Sequence, residues 1–217
     1  EPVALAVDED AFLAFLKTLT AAPIDDTRSW FATQRKWQQA AARAGFHNAR
    51  GEADKRDAAL DAVGYLPDSA WRVIGPFPGE FGGENVSQDG AVDLTARHDG
   101  QEWQGFQDDA FDGFLDLGDA VGGDQVHAYA YTTITTPSAR NAVLVFESEG
   151  WARVFLNGEE IHADAADGQV TRRVEHQSRI TAPLASGVNH ILVKCGDNLF
   201  FEEHRWPPRW GFYIQIL

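Results

Sequence analysis

Hydrophobic positions change their period once along this 217-residue chain, near Trp71. Before that point they recur every three to four residues, the spacing of one helix face. In DEDAFLAFLKTL, Phe12, Phe15, Leu16 and Leu19 share a face, Asp8 to Asp10 supply N-terminal acid, and Pro23 ends the run. In TRSWFATQRKWQQAAARAG, Trp30, Gln34, Trp37, Ala41 and Ala44 form one stripe, and Gly45 is the expected stop. GEADKRDAALDAVG predicts a shorter third helix that ends at Gly64. The aromatics on these faces are read as packing between helices rather than as ligand contacts.

From Trp71 onward, Gly, Pro and Asn-Gly punctuate short runs with strand character. WRVIGPF is the first of them. QVHAYAYTTITT alternates, with Val126, Ala128, Ala130, Thr132 and Ile134 on one side and His127, Tyr129, Tyr131 and Thr133 on the other. AVLVFES, ARVFLN, QVTRRVEH, NHILVKC and RWGFYIQIL follow. Asn157-Gly158 suits a two-residue hairpin, because both residues tolerate positive φ. This pattern predicts a mainly β fold, an antiparallel jelly-roll sandwich over residues 67–217, preceded by a small helical region over residues 1–66 that packs on it. AVLVFES and WARVFLN read as neighbouring strands, which places Trp151 at the rim of the turn between them.

Composition narrows the partners. The formal net charge is −15, so the surface repels nucleic-acid phosphates and anionic membranes. Hydrophobic residues make up 44% of the chain, enough for a core. No apolar run reaches the roughly 18 residues that cross a bilayer, so no membrane span is expected. Cys195 is the only cysteine, which excludes an internal disulfide. At the end of ILVKC it reads as a buried, inert thiol rather than a nucleophile. The chain opens EPVALAVDED, contains no methionine and shows no signal peptide, so a processed protein or a piece of a longer one is expected.

Catalytic signatures are missing from the sequence. There is no Gly-x-Ser-x-Gly elbow, His-Glu-x-x-His pair, phosphate loop or dinucleotide fingerprint. The seven histidines show no ligand spacing. DDAFDGFLDLGD places Asp108, Asp112, Gly113, Asp116 and Asp119 at EF-hand loop positions, but Ala110 and the final Asp break the pattern. A solvated turn leading into the strand FLDL is the preferred reading, with structural calcium as the alternative. No catalytic residue, cofactor or metal is assigned.

The combination WRVIGPF, FLDL, HAYAYTTI, VFLNGEEI, LASGVNHILVKC and WGFYIQI resembles a galactose-binding-like jelly-roll domain of exported bacterial proteins. Its most specific pieces are Trp71-x-x-x-Gly75-Pro76-Phe77, Leu156-Asn157-Gly158 and Gly187-x-Asn189-x-x-Leu192-Val193-Lys194. Such domains accompany glycoside hydrolases, polysaccharide lyases and esterases, and some precede transglutaminase-like domains. The resemblance implies an extracellular or periplasmic, non-catalytic carbohydrate-binding module, with a polysaccharide or oligosaccharide and neighbouring domains of a longer chain as partners. The alternatives are a structural or protein-interaction module and, third, a lyase or hydrolase using scattered carboxylates or Tyr129 and Tyr131. Two departures stand out. Ser148-Glu149-Gly150 replaces the Ser-Asp-Asp turn of relatives, and GDNLFFEEHRWPPRW is longer than a hairpin needs. Trp206, restrained by Pro207 and Pro208, and Trp151 are the candidate sugar-stacking rings, with His204, Arg205 and Arg209 beside Trp206 as polar groups and Glu203 adjacent; the alternative is that both tryptophans cap the sandwich core, the preferred reading for Trp151.

Overall fold

The computed structural model describes residues 10–12, 14, 29–66, 70–79, 83–106, 114–123, 125–149, 151–163, 178–197 and 210–217. The expected strand QVTRRVEH lies outside them, as does most of the first expected helix. The chain divides into two compact units, Glu1–Tyr65 and Leu66–Leu217.

The first unit holds helix α1, Ser29–Ala49, and helix α2, Ala53–Asp61. Helix α1 runs through Gly45, contrary to expectation, because its buried stripe continues past it through Ala44, Phe46 and His47. The chain turns instead at Gly51, whose φ of 70° a glycine adopts without strain. Buried His47 holds the corner, its Nδ1 lying 2.8 Å from Glu52 Oε2 at the head of α2. The short helix ends at Asp61, before the expected Gly64.

The second unit is mainly β. Its strands are β1 (Arg72–Pro78), β2 (Gln104–Gly105), β3 (Phe114–Asp116), β4 (Val126–Thr136), β5 (Arg140–Glu149), β6 (Trp151–Leu156), β7 (Glu159–Ala163), β8 (Ser178–Leu184), β9 (Gly187–Gly196) and β10 (Gly211–Ile216). They form a six-stranded sheet in the order β2-β1-β4-β9-β6-β7 and a four-stranded sheet in the order β3-β10-β5-β8. Every pairing among the described residues is antiparallel. Alternate residues of both sheets point into one core, so the unit is a β-sandwich. Trp71, Val73, Ala128, Ala130, Val154, Ile191 and Val193 come from the larger sheet or its approach; Leu115, Leu144, Phe146, Phe212 and Ile214 come from the smaller. Trp71 meets Phe212 edge to face at 5.5 Å between ring centres. Cys195 is fully buried in this core, with Sγ 3.7 Å from the Gly211 carbonyl. Gly211 is required where β10 meets β3, since a Cβ there would collide with the Leu115 carbonyl oxygen.

Strands β5 and β6 are not neighbours. They belong to opposite sheets, so the chain crosses the sandwich between Glu149 and Trp151. The physical reason is the alternation itself: Leu144 and Phe146 on β5 and Ala152 and Val154 on β6 face the same core from its two sides.

The motif residues are turn and register devices. Gly75 has φ of 151°, and a Cβ there would come within 2.9 Å of Ala128 Cβ. The bulge at Gly75-Pro76 shifts register between Ile74 and Phe77 and brings both onto the sheet's outer face. Asn157 and Gly158 take φ of 53° and 88°, making the two-residue turn from β6 to β7. Asn189 is fully buried and ties this turn to its neighbour. Its Oδ1 accepts from Ala185 N at 2.7 Å and Asn157 Nδ2 at 3.0 Å, and its Nδ2 donates to Ala185 O at 2.9 Å. The Asn157 side chain then accepts from His190 N at 2.8 Å.

Candidate functional site

Strand alternation decides what the six-stranded sheet shows on the face away from the core. Registers align Ile74, Tyr129, Lys194 and Arg153 in one row across β1, β4, β9 and β6. The next row runs Arg72, Tyr131, Leu192, Phe155 and Glu160. On the other side, His127 and Trp151 both pair with Gly196. Because Gly196 has no side chain, the imidazole and indole reach each other across it, with ring centres 6.3 Å apart.

This face is covered by the segment around residues 83–106. Val86 is buried in a second cluster with Ile74, Phe77, Tyr129, Tyr131, Phe155 and Leu192, and Val92 and Trp103 pack against it. At Gly79, Gly83 and Asn85 the fastening is polar. His127 is fully buried; its Nδ1 lies 2.6 Å from the Gly79 carbonyl and its Nε2 2.7 Å from Asn85 Oδ1. Asn85 Nδ2 donates to Asp99 at 2.7 Å, and Asn85 N donates to the Tyr129 hydroxyl at 3.2 Å. Lys194, 3% exposed, donates to the Gly83 carbonyl at 3.0 Å, and the Tyr129 hydroxyl approaches the same oxygen at 3.4 Å. The Lys194 ammonium also lies 5.5 Å from the centre of the Tyr129 ring and 5.4 Å from that of Trp151.

Burial sets the electrostatics of this cluster. Desolvation, helped by the Arg153 charge and opposed by Glu84, pulls Lys194 down to about 8. Desolvation also lowers His127, with the Lys194 charge adding to it and the Gly79 carbonyl opposing it. Only an imidazolium donates from both nitrogens; a neutral ring donates either to the Gly79 carbonyl or to Asn85 Oδ1, and turning the Asn85 amide to serve Nε2 would set its oxygen against the Asp99 carboxylate. Burial raises Tyr129 and Tyr131 above the ordinary phenol value.

A second group lies further along the same face. The Tyr131 hydroxyl is 2.6 Å from His190 Nδ1, with the two rings stacked at 6.1 Å and 18°. On its other side Tyr131 meets Trp103 edge to face at 6.1 Å. Trp103 and His190 are each half-buried. The Trp103 indole N–H is buried and has no hydrogen-bond partner among the described residues.

The residues expected from the sequence fare differently. Trp151 is 5% exposed, its ring capped by Lys194, so it presents no open face for stacking a sugar. His204, Arg205, Trp206 and Arg209 lie outside the described residues, as do Glu203, Asp108, Asp112 and Gly113. Asp116 caps the short helix α3, Leu117–Val121, accepting from Asp119 N at 3.1 Å, while Asp119 is exposed. Among the described residues no cluster of His, Cys, Asp or Glu is arranged to hold a metal ion. Nor is any helix among them long and apolar enough to cross a membrane. His127, Lys194, Trp103, His190 and Asn85 were not singled out from the sequence as site residues. The β4 alternation already put His127 beside Tyr129 and Tyr131, and a lysine inside the run ILVKC was the other available signal.

No family model matches the chain, and no curated protein matches it. Among solved structures it is similar to the β-glucosidase of Kluyveromyces marxianus, at TM-score 0.43 and 12% identity over 71% of this chain. The same enzyme in complex with glucose gives TM-score 0.42 and 13% identity over 68% of this chain. The match spans 19% and 16% of those two chains, less than a fifth of the enzyme's length. A likeness this distant carries no argument about activity.

Proposed function

We propose that this chain is a non-catalytic carbohydrate-binding module of an exported polysaccharide-acting protein, its sandwich a galactose-binding-like jelly roll. The observation that carries the reading is the Trp103–Tyr131–His190 group: two half-buried rings flanking a tyrosine, with polar atoms beside them. Sugars are held by aromatic rings against the apolar face of the pyranose and by a few polar groups for the hydroxyls. Trp206, with His204, Arg205 and Arg209, supplies a second platform in this reading. The module keeps its protein on the glycan and performs no bond chemistry itself.

A glycan microarray probed with the purified chain tests this. Binding to at least one glycan is expected, weakened about tenfold by Trp206→Ala or Trp103→Ala, the loss that about 1.4 kcal/mol of ring stacking produces. Absence of binding to any glycan at millimolar concentration refutes it. One observation favours a protein-interaction module instead. Val143 and Leu217 are 37% and 45% exposed and exchange backbone hydrogen bonds, so their side chains sit together on the outer side of the smaller sheet. A stable complex with a neighbouring domain, lost in Val143→Asp, is the outcome that selects that reading.

A further inference from the structure

The cluster beneath residues 83–86 carries more chemistry than a covering segment needs. An apolar sheet face can be sealed by apolar side chains, as Val86 does lower on the same face. Around Gly83 and Asn85 the sheet instead offers an ammonium, a phenol and an imidazole, together with the rings of Tyr129 and Trp151. Lys194 and the Tyr129 hydroxyl converge on one oxygen, the Gly83 carbonyl. Among the described residues no strand pairing holds Gly83–Val86 to the sheet; the segment is fastened by bonds to Tyr129, His127 and Lys194 and by the Val86 side chain.

We infer that Lys194, Tyr129 and Trp151 form a latent saccharide subsite, which the Gly83–Val86 segment occupies as a strap. The Gly83 carbonyl takes the place of a sugar oxygen between the Lys194 ammonium and the Tyr129 hydroxyl. Once the strap lifts, the Lys194 ammonium and the Tyr129 hydroxyl face the sugar's oxygens, and the Tyr129 and Trp151 rings stand behind the ammonium as the apolar wall of the subsite. A ligand entering here must displace the strap, so its apparent affinity is reduced by the fraction of time the strap is closed. The inference rests on the carbohydrate-binding reading and adds a site to it. Asn85 is the clasp: its side chain links His127 to Asp99, and neither contact belongs to the sugar-binding set.

The test compares the native chain with Asn85→Ala, which unfastens the clasp, and with Lys194→Met, which keeps the length of the side chain but not its donors. Binding of cellohexaose and of hexagalacturonate is measured by calorimetry, and labelling of Lys194 by a water-soluble amine reagent is followed by mass spectrometry. Asn85→Ala is expected to speed Lys194 labelling and to raise affinity for at least one of the two sugars about tenfold, as loss of about 1.4 kcal/mol of latch bonding predicts. Adding Lys194→Met to Asn85→Ala is expected to abolish the gain. Two results overturn the subsite. In the first, the sugar binds native chain, Asn85→Ala and the double variant equally, which leaves the carbohydrate-binding reading standing and moves its site elsewhere. In the second, Lys194 becomes accessible in Asn85→Ala and neither sugar binds any of the proteins. A double variant that has lost its native circular-dichroism spectrum is replaced by Asn85→Ala with Trp151→Phe, which keeps an aromatic ring and is expected to retain part of the gain.

Discussion

Replacing Asn189 by alanine removes the side chain that joins the β6–β7 turn of the larger sheet to the turn carrying the chain from β8 to β9. Asn189 is fully buried and accepts from Ala185 N at 2.7 Å and Asn157 Nδ2 at 3.0 Å. It donates to Ala185 O at 2.9 Å, with longer contacts to Gly187 O at 3.3 Å and Thr136 Oγ1 at 3.4 Å. A buried hydrogen bond contributes about 1 kcal/mol net, and a partner left unsatisfied costs about 1–3 kcal/mol. Counting the three shorter bonds gives a loss of about 3 kcal/mol for Asn189→Ala. For a chain of this length that corresponds to a fall in Tm of roughly 6–12 °C. Urea denaturation followed by near-ultraviolet circular dichroism measures it. Asn189→Asp is the sharper probe, because it keeps the acceptor but sets a carboxylate against the Ala185 and Gly187 carbonyls, so it should cost at least as much as alanine. Asn157→Gly keeps the positive φ and removes only the side chain; its cycle with Asn189→Ala should give a coupling of about 1 kcal/mol. A loss below about 1 kcal/mol in Asn189→Ala, or a harmless Asn189→Asp, refutes the reasoning.

Three further outcomes follow from the same structure. Lys194 titrates near 8 in the folded chain and near the ordinary ammonium value of 10.5 when unfolded, so the unfolded chain holds the extra proton between those values and stability should climb with pH across that window; the climb should be missing in Lys194→Met by urea titrations at stepped pH. Cys195 should resist a thiol reagent in the native chain and react at once in urea, whereas rapid native labelling contradicts its full burial. Gly211→Ala should abolish or severely weaken folding, since its Cβ meets the Leu115 backbone rather than a flexible side chain, and a thermal scan matching the native chain contradicts the placement.

Local pattern reveals those features that depend on neighbours in sequence. The β4 alternation names both faces of a buried strand, with Ala128 and Ala130 in the sandwich core and His127, Tyr129 and Tyr131 opposite. Asn157-Gly158 announces its own turn because few residue pairs accept positive φ twice. Cys195 at the end of an apolar run is buried as its setting predicts. Periodicity does not carry the connection between strands. β5 and β6 look like a hairpin because they adjoin, yet each satisfies its inner face from a different sheet. That choice is made by long-range pairing with β10 and β8 on one side and with β9 on the other. Trp151 followed from the same assumption: its strand turns it under the Lys194 ammonium rather than to an open rim. The covering segment was illegible for another reason. Residues 83–100 have neither period nor strand character, and their place is fixed by single bonds such as Asn85 to His127, between residues 42 positions apart.

As the proposed binding module, the chain is expected to hold a glycan without cutting it. Affinity electrophoresis measures this directly: the intact chain is run through gels containing xylan, pectin or β-glucan, and the same mixtures are assayed for new reducing ends. Retardation in at least one gel with no reducing ends released is the predicted result. Equal mobility in every gel, or reducing ends released by the pure chain, contradicts it.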